Sequence, residues 1–185
     1  MTVAVASCRG WCLFDTPVGA CAIAWGDAAV TGVQLPERDE RATRACMRRR
    51  FPVAPEAVPP PAIAAVIERV RAALRGVPDP MLDVALDFSG YPPFWCRVWD
   101  VTRTIPPGRT LSYGEVAARI GEPAAARAVG QALGRNPFAP IVPCHRVLAA
   151  RTGAGGFSAE GGVATKLRLL QIEHARLGAE PGLFD

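Results

Sequence analysis

The sequence predicts a small α/β unit over residues 1–90 followed by a mostly helical unit over residues 91–185 that contains a helix-turn-helix. Three observations carry this. Ala20–Trp25 and Ala28–Leu35 are short apolar runs that read as a β-hairpin, entered through the turn residues Asp15-Thr-Pro-Val-Gly19. Ser89-Gly-Tyr-Pro-Pro93 interrupts the chain with turn formers, and the boundary is placed there. Beyond it, Ser112-Tyr-Gly-Glu115 has the pattern of a capping box, and a second helix comes after Gly121-Glu-Pro123.

Residues 37–51 make a helix whose arginines, Arg41, Arg44, Arg48, Arg49 and Arg50, are expected on a solvated face because Glu37, Asp39 and Glu40 accompany them. Five prolines between residues 51 and 62 enforce an irregular connection. A second helix over 62–75 carries the apolar stripe Ile63, Val66, Ile67, Val70 and Leu74. Residues 82–88 alternate well enough for a further strand, and 94–104 form the next helix. The capped helix is expected to reach Ile120, and Pro123 to open its partner as a first-turn proline. A final helix is predicted with Val163, Leu167, Leu170 and Leu177 as its stripe.

Composition narrows the function. Half of the 185 residues are hydrophobic, which excludes a disordered chain. No stretch has the length and apolarity of a membrane span, and no export signal opens the sequence, so a cytoplasmic protein with six free thiols is expected. Cys8 and Cys12 have neither a neighbouring histidine nor a second cysteine pair, and no metal site is expected. Residues 1–90 carry 10 basic and 10 acidic side chains, whereas residues 91–185 carry 11 basic and 7 acidic, so the whole net charge of +4 lies in the second half. An anionic partner is expected there.

Two stretches carry chemistry. In Ile141-Val-Pro-Cys-His-Arg-Val-Leu148 a cysteine stands beside a histidine and an arginine on a backbone stiffened by Pro143. An imidazole and a cation both favour the thiolate, which is the nucleophile. The alternative for the pair is a buried strand in which Cys144 is a small apolar side chain. The helix over 124–133 is nearly all small residues apart from Arg127 and Gln131. Such a slim helix suits either close helix packing or entry into a minor groove only ~6 Å wide.

Ser112-Tyr113, Ala125-Ala-Arg-Ala-Val-Gly130, Asn136-Pro137, Pro143-Cys-His-Arg-Val147 and Gly156-Phe-Ser158, with Lys166 and Glu173 after them, resemble the O6-alkylguanine-DNA alkyltransferases. The likeness is close over about residues 90–178 and looser before them. It implies a ribonuclease-H-like domain with a small antiparallel sheet, then a DNA-binding and alkyl-acceptor domain. It implies that Cys144 takes the alkyl group from guanine O6 irreversibly, with no cofactor and one turnover per protein. His145 would take the Cys144 proton through a water, oriented by Glu173, with His174 the rival position on the helical wheel. Tyr113 would press on the flanking phosphate and give a proton to guanine N3.

Arg127 would fill the gap left by the flipped base, with Ser112, Ala126, Gly130 and Gln131 completing the DNA contact. Leu133, Asn136, Val147, Phe157, Ser158 and Ala159 would line the pocket. The implied partner is duplex DNA bearing O6-alkylguanine, with O4-alkylthymine left open, and a monomer is expected. Phe157 lacks the hydroxyl of the tyrosine in some members, and Ala159 stands where many have glycine. A non-catalytic reader of alkylated DNA would lack Cys144, a helix-turn-helix regulator would carry further domains, and a cysteine hydrolase would have no use for the slim arginine helix.

Overall fold

The structure, a computed structural model, describes residues 8–149 and 155–175. Three antiparallel strands, β1 (Gly10–Thr16), β2 (Gly19–Trp25) and β3 (Val30–Gln34), pair in sequence order. The predicted hairpin is β2–β3, with a register shift at Ala24/Trp25. Strand β1 is not among the elements the sequence predicts. Both faces of the sheet are covered, so its apolar run does not alternate with polar residues. Trp11, Ala22 and Ala24 meet Met47 and Phe51, and Phe14, Cys21 and Ile23 belong to the cluster of Ile63, Ile67 and Val70.

Helix α1 (Glu40–Arg50) starts where Asp39 accepts the Ala42 N–H at 2.7 Å, and helix α2 (Pro61–Ala73) opens on a proline whose missing N–H costs nothing there. Its buried positions are the expected ones. The strand expected over 82–88 is not formed: only Leu86 bridges to Val30. The chain turns at Met81, whose φ is +48°, and Arg69 holds Asp79 and Asp83 at 2.7 Å on either side of it. Ion pairing to Arg69 on α2 thus bends a segment whose pattern alone reads as extended.

Helix α3 (Pro93–Arg103) buries Val98, Trp99 and Thr102. The Trp99 indole N–H donates to the Ala132 carbonyl at 3.0 Å, so a fully enclosed ring leaves no polar atom unpaired. Strand β4 (Leu111–Ser112) leads into α4 (Tyr113–Arg119), where both bonds of the capping box form: Ser112 N–H to Glu115 at 2.6 Å and Glu115 N–H to the Ser112 hydroxyl at 3.2 Å. Pro123 opens a single 3-10 turn, Pro123–Ala125, ahead of α5 (Ala126–Gly134). The partner helix therefore begins three residues later than expected.

Strand β5 (Val147–Leu148) pairs in parallel with β4, Leu111 opposite Val147, which ties the start of α4 to the Cys144 segment. The core that begins on the sheet continues through Trp99, Val129, Phe138 and Cys144 to Leu169, so one apolar cluster underlies both halves. Among the described residues no helix is long and apolar enough to cross a membrane.

Helix α6 (Val163–Ile172) buries Leu170 of the expected stripe together with Lys166 and Leu169, while Leu167 is only partly covered. Val163 is 43% exposed, and Leu177 lies outside the described residues. A helical wheel misjudges this face because it places a lysine outward. Here the lysine is drawn in by carbonyl acceptors.

Candidate active site

Past α5 the chain is folded onto the side chain of Asn136. Its amide donates to the Val142 carbonyl at 2.8 Å and to the Cys144 sulfur at 3.2 Å, and its oxygen accepts the Phe138 N–H at 2.9 Å. Cys144 sits on a 3-10 turn, Cys144–Arg146, that runs into β5. The segment is thus a turn closed by an asparagine, not the simple buried strand that was its alternative. Burial pushes the thiol up from its ordinary value, while the Asn136 hydrogen bond and the Lys166 charge pull the other way. With burial the larger effect, the resting sulfur is a thiol and needs a base to become a nucleophile.

The candidate for that base is the next residue. His145 is 1% exposed, and its Nε2 lies 2.8 Å from Glu173 Oε1. Arg146 grips the same carboxylate through Nε at 2.9 Å and Nη2 at 2.8 Å. Burial opposes the Glu173 charge, yet the hydrogen bonds from His145 and Arg146 outweigh it and hold the carboxyl at about 2. An ionised carboxylate only accepts, so Nε2 of the imidazole carries the proton. His145 Nδ1 is buried with no hydrogen-bond partner among the described residues. Burial lowers the imidazole pKa, more than Glu173 raises it, and the ring is neutral with its Nδ1 lone pair free to take a proton.

Glu173 is the C-cap of α6 rather than a residue within it. His174, the rival, is exposed beyond the helix at φ +52°, and the carboxylate partner of His145 is Glu173. A wheel drawn through residue 177 does not separate the two, because the helix stops at Ile172. From the sequence Arg146 is only a cation near the thiol. Its role in the structure is to hold the carboxylate that holds His145.

Tyr113 opens α4 and is half-buried. Its ring packs against Gly130 and Gly155, where an added Cβ would stand 3.7 Å and 3.3 Å from ring carbons. Lys166 Nζ lies 5.8 Å from the ring centroid and donates to the Val147 carbonyl at 2.6 Å and to Gly156 at 3.3 Å. Burial draws the ammonium down to about 8. Burial and the neighbouring Cys144 both raise the Tyr113 phenol, so it stays protonated and able to donate.

A cavity of about 380 Å³ opens beside the sulfur, and Asn136, Cys144, Phe157, Ser158 and Ala159 form one wall. Its other wall, formed by Val33, Gln34, Leu35 and Arg50, comes from the first half of the chain. Nothing in the sequence pattern signals that residues 1–90 touch the site, and Arg50 is not on the solvated face expected of it. Leu133 and Val147 are buried in the core behind this wall. Arg127 and Gln131 are exposed on α5, Ala126 and Ser112 are partly so, and none of the four lines the cavity. The predicted residues therefore fall into a buried catalytic group and an outward helical face joined by Tyr113.

Fold and site together place a buried cysteine, hydrogen-bonded by an asparagine, next to a histidine–glutamate pair in a chain with paired helices, the arrangement of a candidate cysteine-nucleophile protein. A family model described as 6-O-methylguanine DNA methyltransferase, DNA binding domain, matches residues 93–175. The methylated-DNA–protein-cysteine methyltransferase of Mycobacterium bovis is 38% identical over 92% of this chain and 96% of its own. The crystal structure of Mycobacterium tuberculosis OGT in complex with DNA aligns with TM-score 0.71 and 36% identity, covering 95% of this chain and 99% of that one. The O6-methylguanine-DNA methyltransferase of the archaeon Pyrococcus kodakaraensis aligns with TM-score 0.68 and 26% identity over 88% of this chain and 98% of its own. The chain belongs to the methylated-DNA–protein-cysteine methyltransferase family.

Proposed function

We propose that this protein repairs DNA by direct reversal, moving the alkyl group from O6 of guanine to its own Cys144. The observation that carries the reading is that two hydrogen-bonded pairs, Asn136 with Cys144 and His145 with Glu173, meet at consecutive residues of one turn whose sulfur lines an open cavity. His145 Nδ1 takes the thiol proton through a water while Glu173 fixes the ring and stabilises the imidazolium. The sulfur attacks the alkyl carbon, an S–C bond forms, and the C–O6 bond breaks with its electron pair passing to O6. Tyr113 supplies a proton at guanine N3. A thioether has no good leaving group, so the reaction runs once per protein and needs no cofactor. Mixing protein with an excess of O6-methylguanine duplex tests this: repair should stop at one lesion per chain.

We read α4 and α5 as a helix-turn-helix in a DNA-binding domain over 91–185, and residues 1–90 as a ribonuclease-H-like domain. Guanine O6 in a duplex cannot reach a buried thiol, so the nucleotide is flipped out at a cost of a few kcal/mol. Exposed on slim α5, Arg127 fills the gap, while Ala126, Gly130, Gln131 and Ser112 lie against the backbone. Ser158 N–H faces O6, and Phe157, Ala159, Leu133 and Val147 shape the pocket. The protein is read as a monomer. O4-alkylthymine offers a similar alkyl carbon and is the second substrate to try.

The placement of two residues leads to expected outcomes. Arg127→Ala should slow repair of duplex substrate by roughly ten-fold or more while leaving reaction with free O6-benzylguanine unchanged, since only a duplex has a gap to fill. Equal losses on both substrates would remove Arg127 from that role. Ala159→Gly should speed reaction with O6-benzylguanine by roughly ten- to a hundred-fold and leave O6-methylguanine nearly unchanged, because one methyl of overlap in a tight pocket costs ~1–3 kcal/mol. An unchanged ratio of the two rates would show that Ala159 is no gate.

A further inference from the structure

Arg50, the last residue of α1, turns its guanidinium inward over the Phe51 ring, 5.3 Å from the centroid. Its Nη1 donates to the Val33 carbonyl and to Gln34 Oε1, both at 3.0 Å, and Nη2 donates to the Pro137 carbonyl at 3.1 Å. The Val33 N–H donates to the same Pro137 oxygen at 2.8 Å. No carboxylate pairs with Arg50 among the described residues. A half-buried cation held only by carbonyls and an amide is costly, and its nearest titratable neighbours are Cys46, Tyr91 and Cys8.

The peptide after Pro137 gives the cation a use. The Pro137 carbonyl belongs to the peptide whose N–H is that of Phe138. That N–H donates to Asn136 Oδ1 at 2.9 Å, and Asn136 Nδ2 donates to the Cys144 sulfur at 3.2 Å. The bonds therefore run from guanidinium to peptide to side-chain amide to sulfur, every donor pointing toward Cys144. Hydrogen bonds in series polarise one another, by roughly 10–30% per bond. A positive charge at the head makes each donor down the chain stronger, and the last meets the atom that must become negative.

We propose that Arg50 is a positioning residue for alkyl transfer, stabilising the Cys144 thiolate through the Pro137–Phe138 peptide and the Asn136 amide. The proposal rests on the reading of Cys144 as the nucleophile and gives the first half of the chain a part in the chemistry. Other charged or titratable groups near the sulfur are His145 on its own turn, Lys166 on α6 and Tyr113 on α4, and the relay acts in addition to them.

The test is the rate at which iodoacetamide alkylates Cys144 across the pH range of thiol ionisation, followed by mass on the Cys144 peptide. The sulfur displaces iodide, so no DNA chemistry is involved. Arg50→Met should slow alkylation about three-fold at neutral pH, raise the apparent thiol pKa by about half a unit, and leave the alkaline plateau unchanged. Arg50→Lys should restore most of the shift. In an Asn136→Ala background Arg50→Met should add nothing, because the relay is already cut. Should Arg50→Met fail to fold, Arg50→Gln removes the charge while keeping an amide donor and is expected to show the same shift. A plateau that falls by the same factor at every pH, or an equal shift with and without Asn136, would overturn the relay. Methyl transfer from duplex DNA, measured on the parent protein, reads the repair function separately: its absence there, with the Arg50→Met shift present, would sink alkyl transfer and leave only the effect of Arg50 on the thiol.

Discussion

Cys144→Ser should abolish methyl transfer and leave binding of the lesion duplex intact. The hydroxyl that replaces the thiol is a far weaker nucleophile at neutral pH, and removal of a covalent nucleophile costs roughly 10⁴-fold or more. The rest of the site barely registers the change. Asn136 keeps its 2.8 Å bond to Val142 and can donate to the serine oxygen as it does to sulfur, and the His145–Glu173–Arg146 group does not touch the substituted atom. Fluorescence anisotropy with an O6-methylguanine duplex should give an affinity within about two-fold of the parent, while the transfer assay reads zero. Transfer above a trace level in Cys144→Ser or Cys144→Ala would remove Cys144 as the acceptor.

The second large effect is at Glu173. Glu173→Gln keeps the shape of the side chain but removes the charge that fixes His145 and neutralises Arg146. A freed imidazole can present N–H in place of its lone pair, and loss of a positioned base typically costs 10²–10⁴-fold in rate. Stability falls as well, by roughly 3–5 kcal/mol, because a buried guanidinium loses its counter-charge.

The pH dependence separates this from a packing defect. The folded-state carboxyl sits at about 2 against an ordinary 4.5, so the unfolded chain binds the proton more readily in that window. The depressed value means that its contribution is fully present above the ordinary pKa and is lost as pH falls toward the folded one. Urea denaturation should therefore show the parent and Glu173→Gln converging as pH drops from 4.5 toward 2. A gap that stays constant through this window would assign the loss to packing.

Much of the fold is legible in the chain, for reasons that differ from element to element. The capping box at Ser112–Glu115 is a local pattern with a local cause, and it forms as read. Helix α2 shows its buried face because one stripe carries its apolar residues. Strand β1 is hidden because burial on both sides removes the alternation that marks a strand. The segment over 82–88 misleads because Arg69, distant in sequence, bends it through Asp79 and Asp83.

In the site, the Cys144-His145 pair and Asn136 are visible through adjacency and the family likeness. Arg50 is not, since its partner Pro137 lies far along the chain and an arginine in a run of arginines reads as surface. One weak clue exists: Arg50 is the arginine that directly precedes the buried Phe51, at the very end of α1. Lys166 misleads the α6 assignment for the converse reason, a charged residue whose acceptors are carbonyls that no sequence pattern displays.

A labelled duplex tests most directly whether this chain takes the alkyl group onto one named sulfur. The protein is incubated with DNA carrying O6-methylguanine labelled in its methyl group, then digested and read by mass. One labelled methyl per chain, on the peptide that contains Cys144 and on none of the peptides with Cys8, Cys12, Cys21, Cys46 or Cys96, is the predicted result. Methyl groups spread over several cysteines, or a lesion that disappears with no label on the protein, would contradict it.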